Sequence, residues 1–130
     1  INLIKELNEK RGTSVLFISH DLGVVSNTCE RIIVMYAGEV VESGKTEEVL
    51  TRPRHPYTKS LLKALPDAAA PDEPLQAIDG EPPNLLQRPV GCAFSSRCTH
   101  VMDVCKSEHP KLTESEPGHH VSCWLEKVTV

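Results

Sequence analysis

Four of the five cysteines are concentrated near the end of the chain, at Cys92, Cys98, Cys105 and Cys123. Four thiolates can bind a tetrahedral zinc ion or an iron–sulfur cluster. Structural zinc sites usually contain cysteine pairs about two to four residues apart. The gaps here, of 5, 6 and 17 residues, favour a larger, cubane-shaped group without excluding zinc. Four ordinary reduced thiols are a third interpretation, because cysteine is often only a small buried apolar residue.

His20 is the second candidate, because it directly follows the apolar residues 13–19. Their nearly continuous apolar run predicts a parallel strand that helices cover on both faces. Ligands of open α/β sheets bind at the carboxyl ends of strands, where a histidine can donate to an anion or orient a water at neutral pH. From position alone, a histidine that only binds a loop carbonyl is an equally good interpretation.

Helices and strands that would position these residues alternate along the first half of the chain, which predicts the α/β class. The predicted elements are helix 1–10, strand 13–19, helix 22–30, strand 31–36, a turn at 37–39, strand 40–42, a helix capped by Thr46, and a helix that Pro56 opens and Pro66 closes. The chain is expected to divide into an α/β part over residues 1–50, a helix over 51–66, a proline-rich connector over 67–90 and a small irregular cysteine-rich tail over 91–130.

The tail is too small to fold on its own apolar residues. A piece of about 40 residues rarely buries enough surface to be stable alone. We therefore expect it to need a bound metal or cluster, or contact with the rest of the chain.

Composition excludes several classes of protein. The net charge of −4 provides no basic surface for nucleic acid. No apolar run approaches the roughly 20 residues that span a bilayer, and the first residues have no signal-peptide pattern. Without an export signal, disulfides are disfavoured. Because the sequence opens with Ile1 inside a predicted helix, we expect a partial sequence.

Two stretches of the first half carry a family resemblance: LFISHDL at residues 16–22 and RIIVMYAGEVVESG at residues 31–44. Over residues 1–50 the chain resembles the carboxyl-terminal part of a P-loop, RecA-like ABC ATPase domain. The resemblance implies that His20 is the switch histidine, which contacts the γ-phosphate of ATP and helps to hold the attacking water. ATP and Mg²⁺ would be the cofactors of the longer protein.

Motifs that such an ATPase needs are absent from these 130 residues. There is no G-x-x-x-x-G-K-[ST] phosphate loop, no Asp-Glu pair after an apolar strand and no signature motif. The loop and its lysine cradle the phosphates. We therefore expect that residues 1–130 alone do not hydrolyse ATP.

A second, more specific resemblance covers most of the remaining chain. Its motifs are HPYT at residues 55–58, Leu61-Leu62, RPVGCAFSSRC at residues 88–98, Cys105, Pro110 with Leu112, and HHVSC at residues 119–123. They resemble the C-terminal extension of ATPases of oligopeptide/dipeptide (peptide/nickel) ABC importers. One departure is Ala93, where that family often has proline.

This second resemblance implies a [4Fe–4S] cluster on Cys92, Cys98, Cys105 and Cys123, with zinc as the alternative. It also implies a second ATPase subunit and transmembrane permease subunits as partners, at the cytoplasmic face of the inner membrane. His119 is a weaker ligand candidate, and we expect it to donate a hydrogen bond instead. Cys29 and Tyr57 are predicted in the core, and His100, His109 and His120 in solvent.

A stand-alone zinc-binding interaction module is the alternative function. The predicted strand at residues 13–19 argues against it, because that strand needs parallel neighbours which the chain does not offer. The same exposed edge predicts that the chain either self-associates or is only marginally stable.

Overall fold

The structure, a computed structural model, describes residues 2–65 and 77–128. Its helices are α1 (Asn2–Arg11), α2 (Leu22–Thr28), α3 (Thr46–Thr51), α4 (Pro56–Lys63), α5 (Asp103–Ser107) and α6 (Leu125–Val128), with a 3₁₀ turn at Ser95–Arg97. Its strands are β1 (Arg31–Tyr36), β2 (Glu39–Lys45), β3 (Thr113–Glu116) and β4 (His119–Val121). The chain is therefore mixed α/β with a small antiparallel sheet.

The β1–β2 hairpin forms the centre of the described fold. Alternate residues of β1 are buried, as expected for a strand with one face against the core. Its two-residue turn has positive φ at both Ala37 (50°) and Gly38 (81°), the backbone that matches the twist of a tight hairpin. The predicted hairpin is confirmed, with β2 extending to Lys45.

Residues 13–19 form no strand, contrary to the expectation from their apolar run. Leu16 and Ile18 are 85% and 89% exposed, while Phe17 is partly buried against the core. A parallel strand needs neighbours that hydrogen-bond to its edges and helices over its faces. None of the described strands pairs with this segment, so its apolar composition alone does not make it a strand.

The cysteine-rich tail is more regular than predicted, because it contributes two strands to the same sheet. The strand order is β1-β2-β4-β3, and β4 pairs with β2 through Glu42 opposite Val121 and Ser43 opposite His120. The sequence did not predict these strands, because their partners are far apart in the chain. Strands of three and four residues are also too short to show an alternation of apolar and polar residues. The tail is thus fastened to the hairpin by backbone pairing.

Local signals place the helices close to their predicted positions. Asp21 caps α2, since its carboxylate accepts from the Val24 N–H at 3.1 Å. Pro56 opens α4 as predicted, and His55 is its N-cap. Thr46 is the first residue of α3 and not its cap. The predicted stop at Pro66 lies outside the described residues.

One apolar core joins the hairpin, the helices and the tail. Its buried members are Leu22, Val25, Ile32, Val34, Tyr36, Val41, Val49, Ala93 and Phe94. Phe94 and Ala93 come from the tail, so the tail uses the core of the rest of the chain, as its small size requires. No helix of the described ranges is both long enough and apolar enough to cross a membrane.

Candidate functional site

The four tail cysteines line one small cavity of about 10 Å³. Cys92 and Cys98 flank the 3₁₀ turn, Cys105 lies within α5, and Cys123 follows β4. All are free thiols. The other residues around the cavity are His55, Pro56, Phe94, Ser95, His100, Pro110, Trp124 and Leu125. The fold therefore brings together the four residues that the sequence singled out.

Backbone contact holds two of these cysteines in place. The Cys92 N–H donates to the Cys105 carbonyl at 2.8 Å. A Cβ atom on Gly91 would overlap that same carbonyl. Glycine is therefore required at this position by the close approach of the loop to α5.

Three of the four sulfur atoms accept a hydrogen bond from the backbone N–H two residues later. These pairs are Cys92 with Phe94, Cys98 with His100 (3.4 Å between N and Sγ) and Cys123 with Leu125. Donors directed at sulfur stabilise the thiolate form. They prepare the cavity for a group that binds thiolates.

Burial disfavours the thiolate form of the same three cysteines. It raises the pKa of Cys92 and of Cys98, and it raises the pKa of Cys123 to about 11. Negative charge on neighbouring cysteines raises the pKa of each further. Four thiolates are therefore stable together only when a cation lies among them, which couples metal binding to proton release.

Within residues 2–65 and 77–128, no three His, Cys, Asp or Glu side chains are arranged so that they could hold a metal ion. The four cysteines thus share the lining of one cavity without forming such a group.

Glu42 of β2 forms a buried junction beside the cavity. Its carboxylate accepts hydrogen bonds from the backbone N–H groups of Arg54 (2.7 Å) and His55 (3.0 Å) and from Nε2 of His119 (2.8 Å). Glu42 is 0% exposed and His119 is 1% exposed. Sequence reasoning missed Glu42, since a glutamate in a hairpin strand is usually on the solvent face. His119 donates its hydrogen bond to Glu42 and does not line the cavity of the cysteines.

Arg54 ties the start of α4 to the tail. Its guanidinium binds Glu126 at 2.7 Å and also contacts Glu116. These carboxylates raise the pKa of Arg54, although its partial burial, the largest single cause, acts in the opposite direction. Together with Glu42, this arginine connects the hairpin, α4 and the last strands.

Aromatic rings form one wall between the cavity and the core. Phe94 is 1% exposed and meets Tyr36 edge-on, with ring centroids 5.2 Å apart. Tyr57 lies 5.4 Å from the Phe94 ring and His55 lies 6.0 Å from it. Tyr57, predicted in the core, is half-buried and packs against it.

His20 is exposed, in a bend between the irregular residues 13–19 and α2. Its assignment as a catalytic residue stays a prediction. Cys29 is half-buried against the core and does not line the cavity. Of the histidines expected in solvent, His100 and His109 are exposed and His120 is half-buried.

Residues 41–105, which are half of the chain, match the family described as "Oligopeptide/dipeptide transporter, C-terminal region". The chain belongs to this family. The matched range contains Cys92, Cys98 and Cys105, and Cys123 follows it. The resemblance recognised in the motifs of residues 55–98 is thereby confirmed.

Several proteins that are similar to this chain are named as ATP-binding proteins of peptide transport. A probable peptide ABC transporter ATP-binding protein of Sinorhizobium fredii is 44% identical over 95% of this chain and 37% of the relative. The dipeptide transport ATP-binding protein DppD of Bacillus subtilis is 42% identical over 97% of this chain and 38% of its own length. The oligopeptide transport ATP-binding protein OppD of the same organism is 42% identical over 96% of this chain and 35% of its own length. The chain thus spans between 35% and 38% of the length of these relatives.

Proposed function

We propose that this chain is part of the ATP-hydrolysing subunit that powers import of di- or oligopeptides, or of nickel complexes, by an ABC transporter. The family match over residues 41–105 and the identity of 42–44% to ATP-binding proteins of peptide transport carry the proposal. Residues 1–50 would form the carboxyl-terminal part of a P-loop ATPase domain. ATP and Mg²⁺ would be bound mainly by motifs that these 130 residues do not contain.

His20 would act as the switch histidine of that ATPase. Its exposed position before α2 leaves the imidazole accessible to a nucleotide. Phosphoryl transfer depends mainly on positioning and on electrostatic stabilisation of the phosphate oxygens. Donation of a hydrogen bond by His20 to the γ-phosphate, together with orientation of the attacking water, is the role we assign to it.

The partners in this proposal are a second ATPase subunit and transmembrane permease subunits. The chain would lie at the cytoplasmic face of the inner membrane as a peripheral part of the complex. Its net charge of −4 gives no reason to add nucleic acid as a partner.

Cys92, Cys98, Cys105 and Cys123 would hold a [4Fe–4S] cluster. The observation that supports this assignment is the one cavity that all four cysteines line. When bound, such a cluster supplies four iron–thiolate bonds and a one-electron redox couple. The cysteines would thereby join the 3₁₀ turn, α5 and the end of β4.

The importer proposal is tested in the source organism by deleting the coding sequence of residues 1–130. Uptake of labelled dipeptides, oligopeptides and nickel is then measured, with a free amino acid as the control substrate. We expect at least one of the three uptakes to be lost while amino acid uptake is unchanged. Normal uptake of all three would refute the proposal.

The cluster assignment is tested by iron, sulfide and zinc analysis of the anaerobically purified chain, with its visible absorption spectrum. We expect about four irons and four sulfides per chain and the broad absorption of thiolate-bound iron. One zinc without sulfide would favour the zinc module. A metal-free protein with four ordinary thiols would refute both assignments.

A further inference from the structure

His55 is held in one tautomer by the backbone of its own helix. Its Nδ1 accepts a hydrogen bond from the Tyr57 N–H at 3.0 Å. A nitrogen that accepts cannot carry the proton, so the neutral ring is protonated at Nε2. Burial, with a smaller contribution from Lys59, lowers the pKa of His55 to about 4, and the ring is therefore neutral at physiological pH.

The Nε2–H group of this ring has no partner among the described residues. His55 is 1% exposed, and its Nε2 is buried without a hydrogen bond. Buried polar groups are nearly always paired, so an orphan donor in a folded protein indicates a missing acceptor. His55 is also one of the residues that line the cavity of the four cysteines, so a group bound there is the candidate acceptor.

The cysteines of the cavity make sulfur the acceptor to consider. Backbone donors already point at the sulfur atoms of Cys92, Cys98 and Cys123. Hydrogen bonds to cysteine or inorganic sulfur stabilise the added electron of an iron–sulfur cluster and raise its reduction potential. A neutral imidazole adds such a donor without adding a charge.

We propose that His55 donates its Nε2–H to a sulfur atom of the group that the four cysteines hold, and so raises that group's reduction potential. The inference rests on the cluster assignment above and adds a tuning residue to it. His55 is then a positioning residue that acts through the cluster. It does not bind iron itself.

Two substitutions separate the two nitrogens of the ring. In His55→Asn, the amide oxygen lies near the position of Nδ1 and can still cap α4. The donor at the position of Nε2 is lost. In His55→Gln, the amide nitrogen lies near the position of Nε2 and preserves the donor. His109→Asn is the control, because His109 is exposed and does not line the cavity.

The full chain and the three variants are purified anaerobically and analysed for iron and sulfide before their midpoint potentials are measured. For His55→Asn we expect a tenfold smaller one-electron reduction constant, a potential about 59 mV more negative. We expect His55→Gln to keep most of the wild-type potential and His109→Asn to match it. A loaded His55→Asn protein with the wild-type potential would overturn the inference.

A measurement on the unmodified protein covers the case in which the His55 variants fail to fold or to load. Pulsed electron paramagnetic resonance of the reduced cluster, in a chain whose histidines carry ¹⁵N only in the imidazole ring, detects a nearby imidazole without a signal from the His100 backbone N–H. We expect the weak coupling of one nitrogen that is hydrogen-bonded and not bound to iron. Its absence from a loaded cluster would overturn the inference, whereas a wild-type chain without iron and sulfide would refute the cluster assignment itself.

Discussion

Buried carboxylates are costly unless donors surround them, and Glu42 shows how this chain satisfies one. Its three donors come from the start of α4 and from β4. The carboxylate thereby fixes the backbone of Arg54 and His55 relative to the tail. Glu42 is distant in sequence from the cysteines, yet it positions the wall of their cavity.

Glu42→Ala tests this junction. The substitution leaves two buried donors and one partly buried donor without an acceptor, at about 1–3 kcal/mol each. We expect a loss of at least about 3 kcal/mol in the free energy of unfolding, measured by denaturant titration. Glu47→Ala, at an exposed position of α3, is the control and should change stability little. Equal stability of the two variants would mean that Glu42 does not support the fold.

His20→Ala is tested in the longer ATPase that contains this chain. Loss of a positioned hydrogen-bonding group costs about 100-fold or more in turnover when that group acts on the transition state. We expect ATP binding to be retained and the hydrolysis rate to fall by at least that factor. Wild-type hydrolysis by this variant would remove His20 from the catalytic residues.

Cys105→Ser tests the ligand set, with Cys29→Ser as a matched control. Cys105 lines the cavity, whereas Cys29 lies against the core elsewhere. We expect iron and sulfide to be lost from Cys105→Ser and kept by Cys29→Ser, while nucleotide binding by the longer protein is unchanged in both. A fully loaded Cys105→Ser protein would contradict the four-cysteine assignment.

Short segments, each too small to be stable alone, form the cavity by packing on one another. The loop at Cys92 lies against α5, and β4 pairs with β2 of the hairpin. Arg97 adds a further link, because its guanidinium binds the carbonyls of Ile78 and Asp79. The tail therefore depends on the hairpin for its order.

Gly91→Ala tests the contact between the loop and α5. The added methyl group would overlap the Cys105 carbonyl, and overpacking of this kind costs about 1–3 kcal/mol. We expect lower stability and loss of iron and sulfide in the same variant. Gly12→Ala is the control: it strains a positive φ of 61° but meets no neighbouring atom, so cluster content should stay at the wild-type level. Full loading of Gly91→Ala would show that the loop can move away from α5.

At the scale of the whole molecule, three apolar side chains of residues 13–19 are exposed, namely Val15, Leu16 and Ile18. Leu16 and Ile18 are almost completely exposed, and their backbone is unpaired with any described strand. Unpaired extended segments of this kind associate with other chains. The chain is therefore expected to self-associate or to be only marginally stable.

The double substitution Leu16→Lys/Ile18→Lys tests this expectation. Two charges at the exposed positions should make the chain monomeric in sedimentation experiments over a concentration range in which the parent self-associates. Leu86→Lys, at a residue that is 94% exposed elsewhere, is the control and should leave association unchanged. A parent chain that is monomeric at all concentrations and has a sharp melt would contradict the expectation.

Local sequence patterns were sufficient to predict several features of this protein. The cysteine spacing, the motifs at residues 55–58 and 88–98, the β1–β2 hairpin and the start of α4 at Pro56 are visible in the order of the residues. Each depends on neighbours in the sequence: turn residues, a helix-opening proline and alternation along a strand.

Only the tertiary structure decided the rest, because it depends on contacts between distant residues. It brought the four cysteines around one cavity, paired β4 with β2 and enclosed Glu42 by donors from two other segments. It also left residues 13–19 without a strand, since strand formation there requires partners that an apolar run cannot supply. The burial of His55 and its hydrogen bond from the Tyr57 N–H, which leave Nε2 without a partner among the described residues, are likewise not revealed by its position in the sequence.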